Sequence, residues 1–336
     1  MNILWFWALA AMLAVYAVLD GYDLGVGALH LFVARGNHER RVCLNAIGPV
    51  WNGNEVWLIA AGGMMVAAFP RLYAAAFSGF YLALIVVLWL LVLRGIAIEF
   101  RGHIGHSLWF AFWDAVFWIA SLLLALLLGV ALGNIVHGLP IGPDGYFLGS
   151  FTLMLNPYAL LTGLLSLGTL TWHGLNFLRT KAEGELLTRT RRWSRAAWWW
   201  SLTLALLATL FTFAQHPGLV AHFERHPVWL VFPAAAIFGF AWSWAAGADH
   251  DRRAYWGSVA VIAGLLGSAA ATVYPNLLPS TVAAGYSLDI YNAASSPHAQ
   301  LMAFIANAIA VACVVAYSTY IHRAFRGRVV LGEHSY

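Results

Sequence analysis

Residues 45–58 read N-A-I-G-P-V-W-N-G-N-E-V-W-L, a run with three amides, one carboxylate and a Gly-Pro break inside an otherwise apolar sequence. A second polar stretch, D-G-Y-D-L-G-V-G at 20–27, precedes it and places Asp20 and Asp23 three residues apart. Polar and ionisable side chains are costly in a hydrocarbon environment, so those that occur there are functional candidates. The residues around both stretches decide whether they lie in a membrane.

The overall composition is that of a polytopic helical membrane protein. Hydrophobic residues make up 62% of the 336 residues and charged residues only 10%, whereas ordinary domains carry about 25% charged residues. The 17 Trp and 20 Phe residues fit aromatic belts at two membrane–water interfaces. A net charge of +4 does not indicate a nucleic-acid partner, because the basic residues fall in short loops between apolar stretches. We therefore expect an all-α chain surrounded by membrane lipid.

The lengths of the apolar stretches predict the number of transmembrane helices. A hydrocarbon core about 30 Å thick needs about 20 apolar residues per helix. This length predicts nine transmembrane helices, at 4–31, 49–69, 73–93, 108–132, 150–176, 197–214, 228–246, 254–274 and 299–321. Pro49 suits the first turn of the second span.

The distribution of basic residues predicts the orientation of these spans. Of the 18 Lys and Arg residues, 16 fall on one side of the nine-span arrangement, and only Arg71 and Arg225 fall on the other. Because cytoplasmic loops are enriched in Lys and Arg, we expect the N-terminus outside and the C-terminus in the cytoplasm.

With this orientation, the ionisable residues of the first half lie at one depth. Asp20 and Asp23 on span 1, Glu55 on span 2 and Asp114 on span 4 all fall in the cytoplasmic third, and Arg94 ends span 3 on the same side. An ionised carboxylate at mid-membrane costs about 2.5–3.5 kcal/mol on insertion scales. Two interpretations stay equally open: a functional proton path or headgroup site, and a structural ion-pair network that holds a kinked span 2.

The second half of the chain carries no comparable cluster. Spans 5 to 9 have no carboxylate in their interiors, and we interpret His173 as an interfacial residue rather than a ligand. A haem held by two axial side chains needs His, Met or Cys at matching depth in facing spans, whereas the 13 histidines lie almost all in loops or at span ends. We therefore expect no haem and no metal site on this chain.

Several long motifs identify a family. The two polar stretches resemble subunit II of the cytochrome bd-type quinol oxidases, including the cyanide-insensitive variant. The resemblance continues through A-A-F-P-R-L-Y at 67–73, L-R-G-I-A-I-E-F-R at 93–101, F-W-D-A-V-F-W at 112–118 and Y-P-N-L-L-P-S at 274–280. It covers essentially the whole chain.

The resemblance implies a heterodimeric terminal oxidase of the bacterial inner membrane that takes electrons from quinol and reduces dioxygen to water with cytoplasmic protons, without pumping. It implies a haem-bearing subunit I that carries haem b and haem d, or a b-type replacement, and a bound ubiquinone or ubiquinol. A small single-span subunit is a further possible partner. We predict two four-helix bundles plus a ninth helix: residues 1–149 form the first bundle with the acidic cluster, 150–298 the second, and 299–336 the ninth helix and a cytoplasmic tail.

The resemblance also implies candidate site residues, none of them catalytic. Asp23 and Asn52 match positions thought to line a proton route, and Asn52 stands where family members often have Asp. An amide does not titrate near neutral pH, which shifts the weight to Asp20, Glu55 and water. The predicted proton path comprises Asp20, Asp23, Asn52, Glu55 and Asp114. The predicted quinone contacts are Trp51, Arg94 and Glu99.

Two other functions compete with this interpretation. An ion-coupled secondary transporter would use the acidic cluster for coupling, but such folds usually show matched broken helices in two repeats, and here only span 2 is broken. A purely structural assembly subunit would use the same cluster only to hold its helices together.

Overall fold

Long apolar helices dominate the part of the chain that the computed structural model describes, residues 1–247 and 250–332. The helices are α1 (Asn2–Val33), α2 (Gly36–Ile47), α3 (Trp51–Ala68), α4 (Pro70–Gly79), α5 (Tyr81–Phe100), α6 (Ser107–His137), α7 (Pro157–Lys181), α8 (Gly184–Gln215), α9 (Leu219–Arg225), α10 (Val231–Ala245), α11 (Asp251–Val273) and α12 (Pro297–Ala324). Two short strands, β1 (Asn276–Leu278) and β2 (Leu288–Asp289), pair antiparallel.

Among the described residues, seven helices are long and apolar enough to cross a membrane. They are α1, α5, α6, α8, α11, α12 and α10 with the 3₁₀ turn before it, Pro227–Ala245. The prediction of a mostly helical polytopic membrane protein is therefore confirmed. Helices α3 and α7 cover predicted spans 2 and 5 and are not among the seven. Both carry polar residues within the predicted span, including Glu55 on α3 and His173 on α7.

The polar stretch at 45–58 spans the junction between two helices. The sequence predicted a span that begins at residue 49, but α2 ends at Ile47 and α3 begins only at Trp51. Helix α2 was not predicted, because its 12 residues are too few for a span. Its C-terminal half is apolar and packs into the protein, with Cys43 and Ile47 completely buried.

The predicted span at 73–93 also differs from the structure. Two helices cover this region, α4 and α5, and they meet at Phe80. Pro70 starts α4, where a missing N–H is tolerated. At the other end of α4, a Cβ on Gly79 would lie 3.1 Å from the Phe147 Cβ atom. The loop before α7 thus crosses the helix at its break, and the apolar span is shifted to α5.

The loop after α6 and the loop after α11, at the opposite end of the molecule from α2, are joined by hydrogen bonds. The Leu139 N–H donates to the Pro279 carbonyl at 2.9 Å, and the Thr281 N–H donates back to Leu139 at 2.9 Å. Arg71 on α4 donates to the Asn292 carbonyl at 3.0 Å. These bonds connect α6 to the segment before α12, which is distant in sequence.

Helix α1 is the centre of the helix packing and contacts α3, α6, α7 and α11. Its glycines allow the closest approach: a Cβ on Gly25 would lie 1.9 Å from the Leu170 carbonyl oxygen, and one on Gly174 would lie 2.5 Å from the Gly25 carbonyl carbon. On the α6 side, a Cβ on Gly27 would lie 2.0 Å from the Ser121 Oγ atom. The glycines of 20–27 therefore permit close packing of α1 against its neighbours.

The segment after α12 folds back onto the end of α7. Arg328 donates to the Arg179 carbonyl at 2.6 Å, and the Val329 N–H donates to the Lys181 carbonyl at 2.9 Å. Asp251, at the start of α11, accepts from Arg179 Nε at 2.9 Å and from Arg191 Nη2 at 2.9 Å. The same end of α7, α8, α11 and α12 is thus tied together by charged groups.

We predict that Gly25→Ala destabilises the assembled complex by about 3 kcal/mol, because the new methyl group overlaps the α7 backbone and neither helix can yield locally. Gly63→Ala is the matched control, since a Cβ at Gly63 meets nothing within 4 Å, and alanine there gains about 0.5–1 kcal/mol of helix propensity. Thermal unfolding of the purified complex measures both. Equal melting temperatures for the two variants would contradict the packing.

We also predict that Cys43 resists thiol reagents in the native protein. Its side chain is completely buried, and burial, reinforced by the charge of Glu39, raises the pKa of the Cys43 thiol to about 12. Because the thiolate is the reactive form, maleimide labelling in a Cys313→Ser background should be slower by about 10³-fold than after denaturation. His38→Cys in a chain without Cys43 and Cys313 is the control, because His38 is exposed on the same helix. Similar labelling rates for Cys43 and for the thiol of the His38→Cys variant in the native protein would show that α2 is not packed against the rest of the chain.

Candidate functional site

A completely buried arginine holds two of the predicted carboxylates. Arg94 on α5 donates from Nη1 to Asp20 Oδ2 at 3.0 Å and from Nη2 to Asp20 Oδ1 at 2.7 Å. Its Nη2 also donates to Glu55 Oε1. Arg94 and Asp20 are 0% exposed, and the Glu55 side chain is 22% exposed. We call Asp20, Glu55 and Arg94 the Arg94 cluster; it joins α1, α3 and α5.

Asp23 lies one helical turn beyond Asp20 and has a different partner. Its Oδ2 accepts from Asn54 Nδ2 at 2.8 Å. The same Asn54 nitrogen donates to the Tyr22 hydroxyl oxygen at 2.8 Å. The remaining oxygens, Asp23 Oδ1 and Asn54 Oδ1, are buried with no hydrogen-bond partner among the described residues. A buried polar atom without a partner costs about 1–3 kcal/mol. A contact that served only to hold α1 and α3 together would not need to leave these two oxygens unpaired.

The Tyr22 ring brings two more helices to this place. It stacks on Phe177 of α7 with ring centroids 3.9 Å apart. Its hydroxyl group lies 2.8 Å from Nε2 of His322, in the last turn of α12. Helix α12 otherwise packs mainly against α3, so this hydrogen bond links it directly to α1.

Asp114 belongs to a separate group of charges. It accepts from Arg40 Nη1 at 2.9 Å and from Arg101 Nε at 2.5 Å, and His30 Nε2 lies 3.7 Å from it. Arg101 also donates to Asn37 Oδ1 at 2.8 Å. None of these partners belongs to the Arg94 cluster. The single acidic cluster that the sequence predicted is therefore divided into two groups with separate partners.

Asn52 and Asn54 point to different sides of α3. Asn54 is 1% exposed, whereas Asn52 is exposed. Residues two apart on a helix differ by about 200° in direction, so only one of the two can face the core. The buried positions of α3 recur every three or four residues and include Asn54, Trp57, Ala61, Met64 and Ala68. This periodicity in the sequence is the signal that could have identified Asn54.

The predicted quinone contacts Arg94 and Glu99 lie on α5, and Trp51 on α3 packs against the same helix. A Cβ on Gly95 would lie 3.2 Å from the Trp51 ring, so the half-buried Trp51 packs beside Arg94. Glu99 lies one turn farther and is exposed, and its carbonyl oxygen is 3.0 Å from His103 Nδ1. Trp51 and Glu99 are thus accessible to a ligand. Arg94 is not, because it is 0% exposed and both terminal nitrogens are bound to carboxylates.

Charge compensation decides what the two groups can do. The Arg94 cluster and the neighbouring Asp23 contain three carboxylates and one guanidinium, so full ionisation would bury a net negative charge. Burial of uncompensated charge is costly, and binding of protons relieves it. The Asp114 group contains one carboxylate and two guanidiniums, so the same argument does not favour proton uptake there.

Within residues 1–247 and 250–332, no group of three or more His, Cys, Asp or Glu side chains could hold a metal ion. His173 is completely buried, and its ring nitrogens lie 2.8 Å from Ser258 Oγ and 2.9 Å from the Val18 carbonyl oxygen. It is therefore a hydrogen-bonded core residue rather than the interfacial residue that the sequence suggested.

The fold and the buried ion pairs define a polytopic membrane protein whose helical core holds carboxylates and an arginine. The family model described as cytochrome bd terminal oxidase subunit II matches residues 1–325, and the chain belongs to this family. Members of this family are proteins of the bacterial inner membrane. Membership is consistent with quinol and haem cofactors in the complex and implies a partner subunit I. The resemblance drawn from the motifs is confirmed.

Individual relatives match over nearly the whole chain. Cytochrome bd-I ubiquinol oxidase subunit 2 of Escherichia coli K12 is 31% identical and aligns with 98% of this chain and 95% of its own length. Cytochrome bd ubiquinol oxidase subunit 2 of Bacillus subtilis 168 is 30% identical, with 97% and 96% covered. A chain of the bd oxidase structure from Geobacillus thermodenitrificans shares the fold, with a TM-score of 0.77, 17% identity and 96% and 98% of the two chains covered.

We predict that Arg94→Gln destabilises the complex by about 3–5 kcal/mol, because it leaves Asp20 and Glu55 without their shared counter-charge. Adding Asp20→Asn should recover part of this loss, since it removes one of the unpaired charges. Arg40→Gln is the control: its side chain is 29% exposed, and Asp114 keeps Arg101, so we expect a loss of about 1 kcal/mol or less. Thermal unfolding of the complex measures all three. Equal losses for Arg94→Gln and Arg40→Gln would contradict the assignment.

Proposed function

We propose that this chain acts as subunit II of a quinol:oxygen oxidoreductase of the respiratory chain and supplies its partner with protons. The observation that carries the oxidase function is the match over nearly full length to relatives named ubiquinol oxidase subunit 2. In the complete reaction, two quinols give up four electrons and four protons, and dioxygen takes four electrons and four protons to form two waters. The reaction is electrogenic without pumping if the protons taken up come from the cytoplasm and those released by quinol leave on the outer side.

Nine transmembrane helices, with the N-terminus outside and the C-terminus in the cytoplasm, are the topology we propose. To the seven apolar helices it adds α3 and α7, which fall outside the seven. Helix α7 contacts α1, α6, α8 and α11, and α3 lies between α1 and α12. Polar residues are tolerated at membrane depth where they face protein rather than lipid, which supports both additions. The division into two four-helix bundles at 1–149 and 150–298, with a ninth helix after them, stays a prediction.

The proton route that we propose connects Asp23 with the Arg94 cluster. Glu55 is the partly exposed member of the cluster, and Asp20 and Asp23 are buried behind it. Arg94 binds Asp20 and Glu55 at once, which holds these carboxylates beside each other. When one carboxylate releases its proton toward the partner subunit, the remaining negative charge attracts the next proton from the cytoplasmic side.

Two predicted members of the route have other surroundings. Asn52 lies on the exposed side of α3, three residues before Glu55, where its amide can orient water but cannot carry a proton. Asp114 is paired with Arg40 and Arg101 in its own group. We propose Asn52 and Asp114 as further members of the route. Asn54 joins them as the amide that contacts Asp23.

The haems, b-type and d-type or its b-type replacement, are proposed to lie on subunit I, where they would supply the oxygen-reducing chemistry. For ubiquinone we propose the accessible surface of Trp51 and Glu99 as the contact, with Arg94 behind it as a positioning group. The residues fit an aromatic headgroup only in part, because the Arg94 terminal nitrogens are already bound to carboxylates. A small single-span subunit as a third partner is likewise a proposal.

A purely structural role is the second candidate, and one observation favours it. Both oxygens of Asp20 are hydrogen-bonded to Arg94, as a static ion pair would require. Asp23 Oδ1 and Asn54 Oδ1, which have no partner within the described part of the chain, favour the proton route instead.

We predict that Asp23→Asn and Glu55→Gln lower oxygen consumption per haem by at least about tenfold, because an amide cannot bind and release a proton. The reduced-minus-oxidised spectrum of the purified complex gives the haem content to which the rates are normalised. Glu185→Gln is the matched control, because the Glu185 side chain is 87% exposed on α8. Unchanged rates per haem in the first two variants would contradict the proton route, and a complex without haem would contradict the oxidase function.

A further inference from the structure

The hydrogen bond between Tyr22 and His322 joins the first and the last long helices of the chain. Tyr22 is 0% exposed, whereas His322 is partly exposed in the last turn of α12. The Tyr22 hydroxyl oxygen lies 2.8 Å from His322 Nε2 and 2.8 Å from Asn54 Nδ2, and Asn54 Nδ2 lies 2.8 Å from Asp23 Oδ2. A continuous chain of hydrogen bonds therefore leads from a partly exposed imidazole to a buried carboxylate.

The donors in this chain follow from the His322 ring. Its Nδ1 lies 2.8 Å from the Ser318 carbonyl oxygen, which can only accept, so Nδ1 carries the hydrogen. In a neutral imidazole the other nitrogen is then an acceptor. The Tyr22 O–H therefore donates to His322 Nε2, and the Tyr22 oxygen accepts from Asn54.

A proton on His322 reverses the first of these bonds. An imidazolium ion donates from Nε2 to the Tyr22 oxygen, so the Tyr22 hydroxyl hydrogen has to leave that line. Rotation about the C–O bond turns it toward the Asp23 side, where Asp23 Oδ1 and Asn54 Oδ1 are buried without a partner among the described residues. The Tyr22 hydroxyl oxygen and Asp23 Oδ2 are at most about 5.6 Å apart, since each lies 2.8 Å from the same Asn54 nitrogen.

We propose that His322 is the entry group through which protons from the cytoplasmic side reach Asp23, with the Tyr22 hydroxyl as the relay between them. In the transfer, the His322 Nε2–H bond breaks and that proton binds the Tyr22 oxygen. The original Tyr22 proton forms a bond to the Asp23 carboxylate, which leaves a neutral imidazole and a neutral phenol. This inference rests on the proposed proton route and names its entrance.

The charges around His322 suit an entrance rather than a closed ion pair. Lys181, at the end of α7, donates from Nζ to the Phe325 carbonyl at 2.6 Å and acts on His322 through its charge. This ammonium group repels an imidazolium ion, whereas the Asp23 carboxylate attracts the proton inward. The other titratable groups beside the relay or on the same helix end are His173 of α7, Tyr255 of α11 and Arg323 of α12.

The same contact could serve only as an anchor, because α12 has few other attachments to α1. The two roles respond differently to substitution. An anchor needs any side chain that holds the Tyr22 hydroxyl, whereas an entry group needs one that gains and loses a proton. His322→Gln keeps a hydrogen-bonding side chain of similar length and cannot be protonated near neutral pH.

The test uses the assembled complex in vesicles. Oxygen consumption per haem is measured between about pH 6 and 9, a range whose acidic end includes the reference pKa of histidine, about 6.5. We expect His322→Ala, His322→Gln and Tyr22→Phe each to lower the rate by about tenfold at the alkaline end, with a smaller loss at the acidic end where protons are abundant. Imidazole added to the medium should restore His322→Ala but not Tyr22→Phe, because only the first leaves the relay intact. His38→Ala, at an exposed histidine of α2, should match the unsubstituted complex.

Three results would overturn the entrance. The first is a normal rate at every pH for His322→Gln while Asp23→Asn slows the enzyme, which would leave the proposed route standing with another entrance. The second is that the His322 and Tyr22 variants lose haem while their rate per haem is unchanged, which would make the contact an anchor. The third is a normal rate for the Asp23 and Glu55 variants as well, which would remove the proposed route itself.

Discussion

The buried guanidinium of Arg94 is the constraint on which the rest of the first half depends. An arginine that is 0% exposed must find its counter-charges inside the protein, and it finds them on two other helices. Since removal of one partner of such a pair leaves an uncompensated buried charge, α1, α3 and α5 have to pack in one arrangement. The Gly48–Pro49 turn follows from this, because α3 must begin where Glu55 can reach Arg94.

Close packing of α1 supplies the second condition for the site. Gly25 and Gly174 let the α1 and α7 backbones touch, and this brings Phe177 under the Tyr22 ring. The stacked ring fixes the Tyr22 hydroxyl between Asn54 and His322. A polar chain from the end of α12 to the buried carboxylates thus exists because small residues remove the space between two helices.

The membership in the cytochrome bd terminal oxidase subunit II family and the charge arrangement support one division of labour. A subunit that gathers protons needs buried carboxylates in excess over cations, as the Arg94 cluster and Asp23 provide. A group with the opposite balance, such as Asp114 with Arg40 and Arg101, is better suited to hold helix ends together. The sequence showed four carboxylates of similar depth, and only their partners distinguish the two kinds.

The amino-acid sequence alone determined the class, the family and most of the helices, because apolar length and ordered motifs are local properties. It also contained the helical periodicity that separates Asn54 from Asn52. It could not reveal α2 as a packed helix, the break at Phe80 or the pairing of Tyr22 with His322, which are 300 residues apart. These depend on which helices become neighbours, and that is decided by the fit of glycines, rings and buried charges from distant segments, which only the tertiary structure brings together.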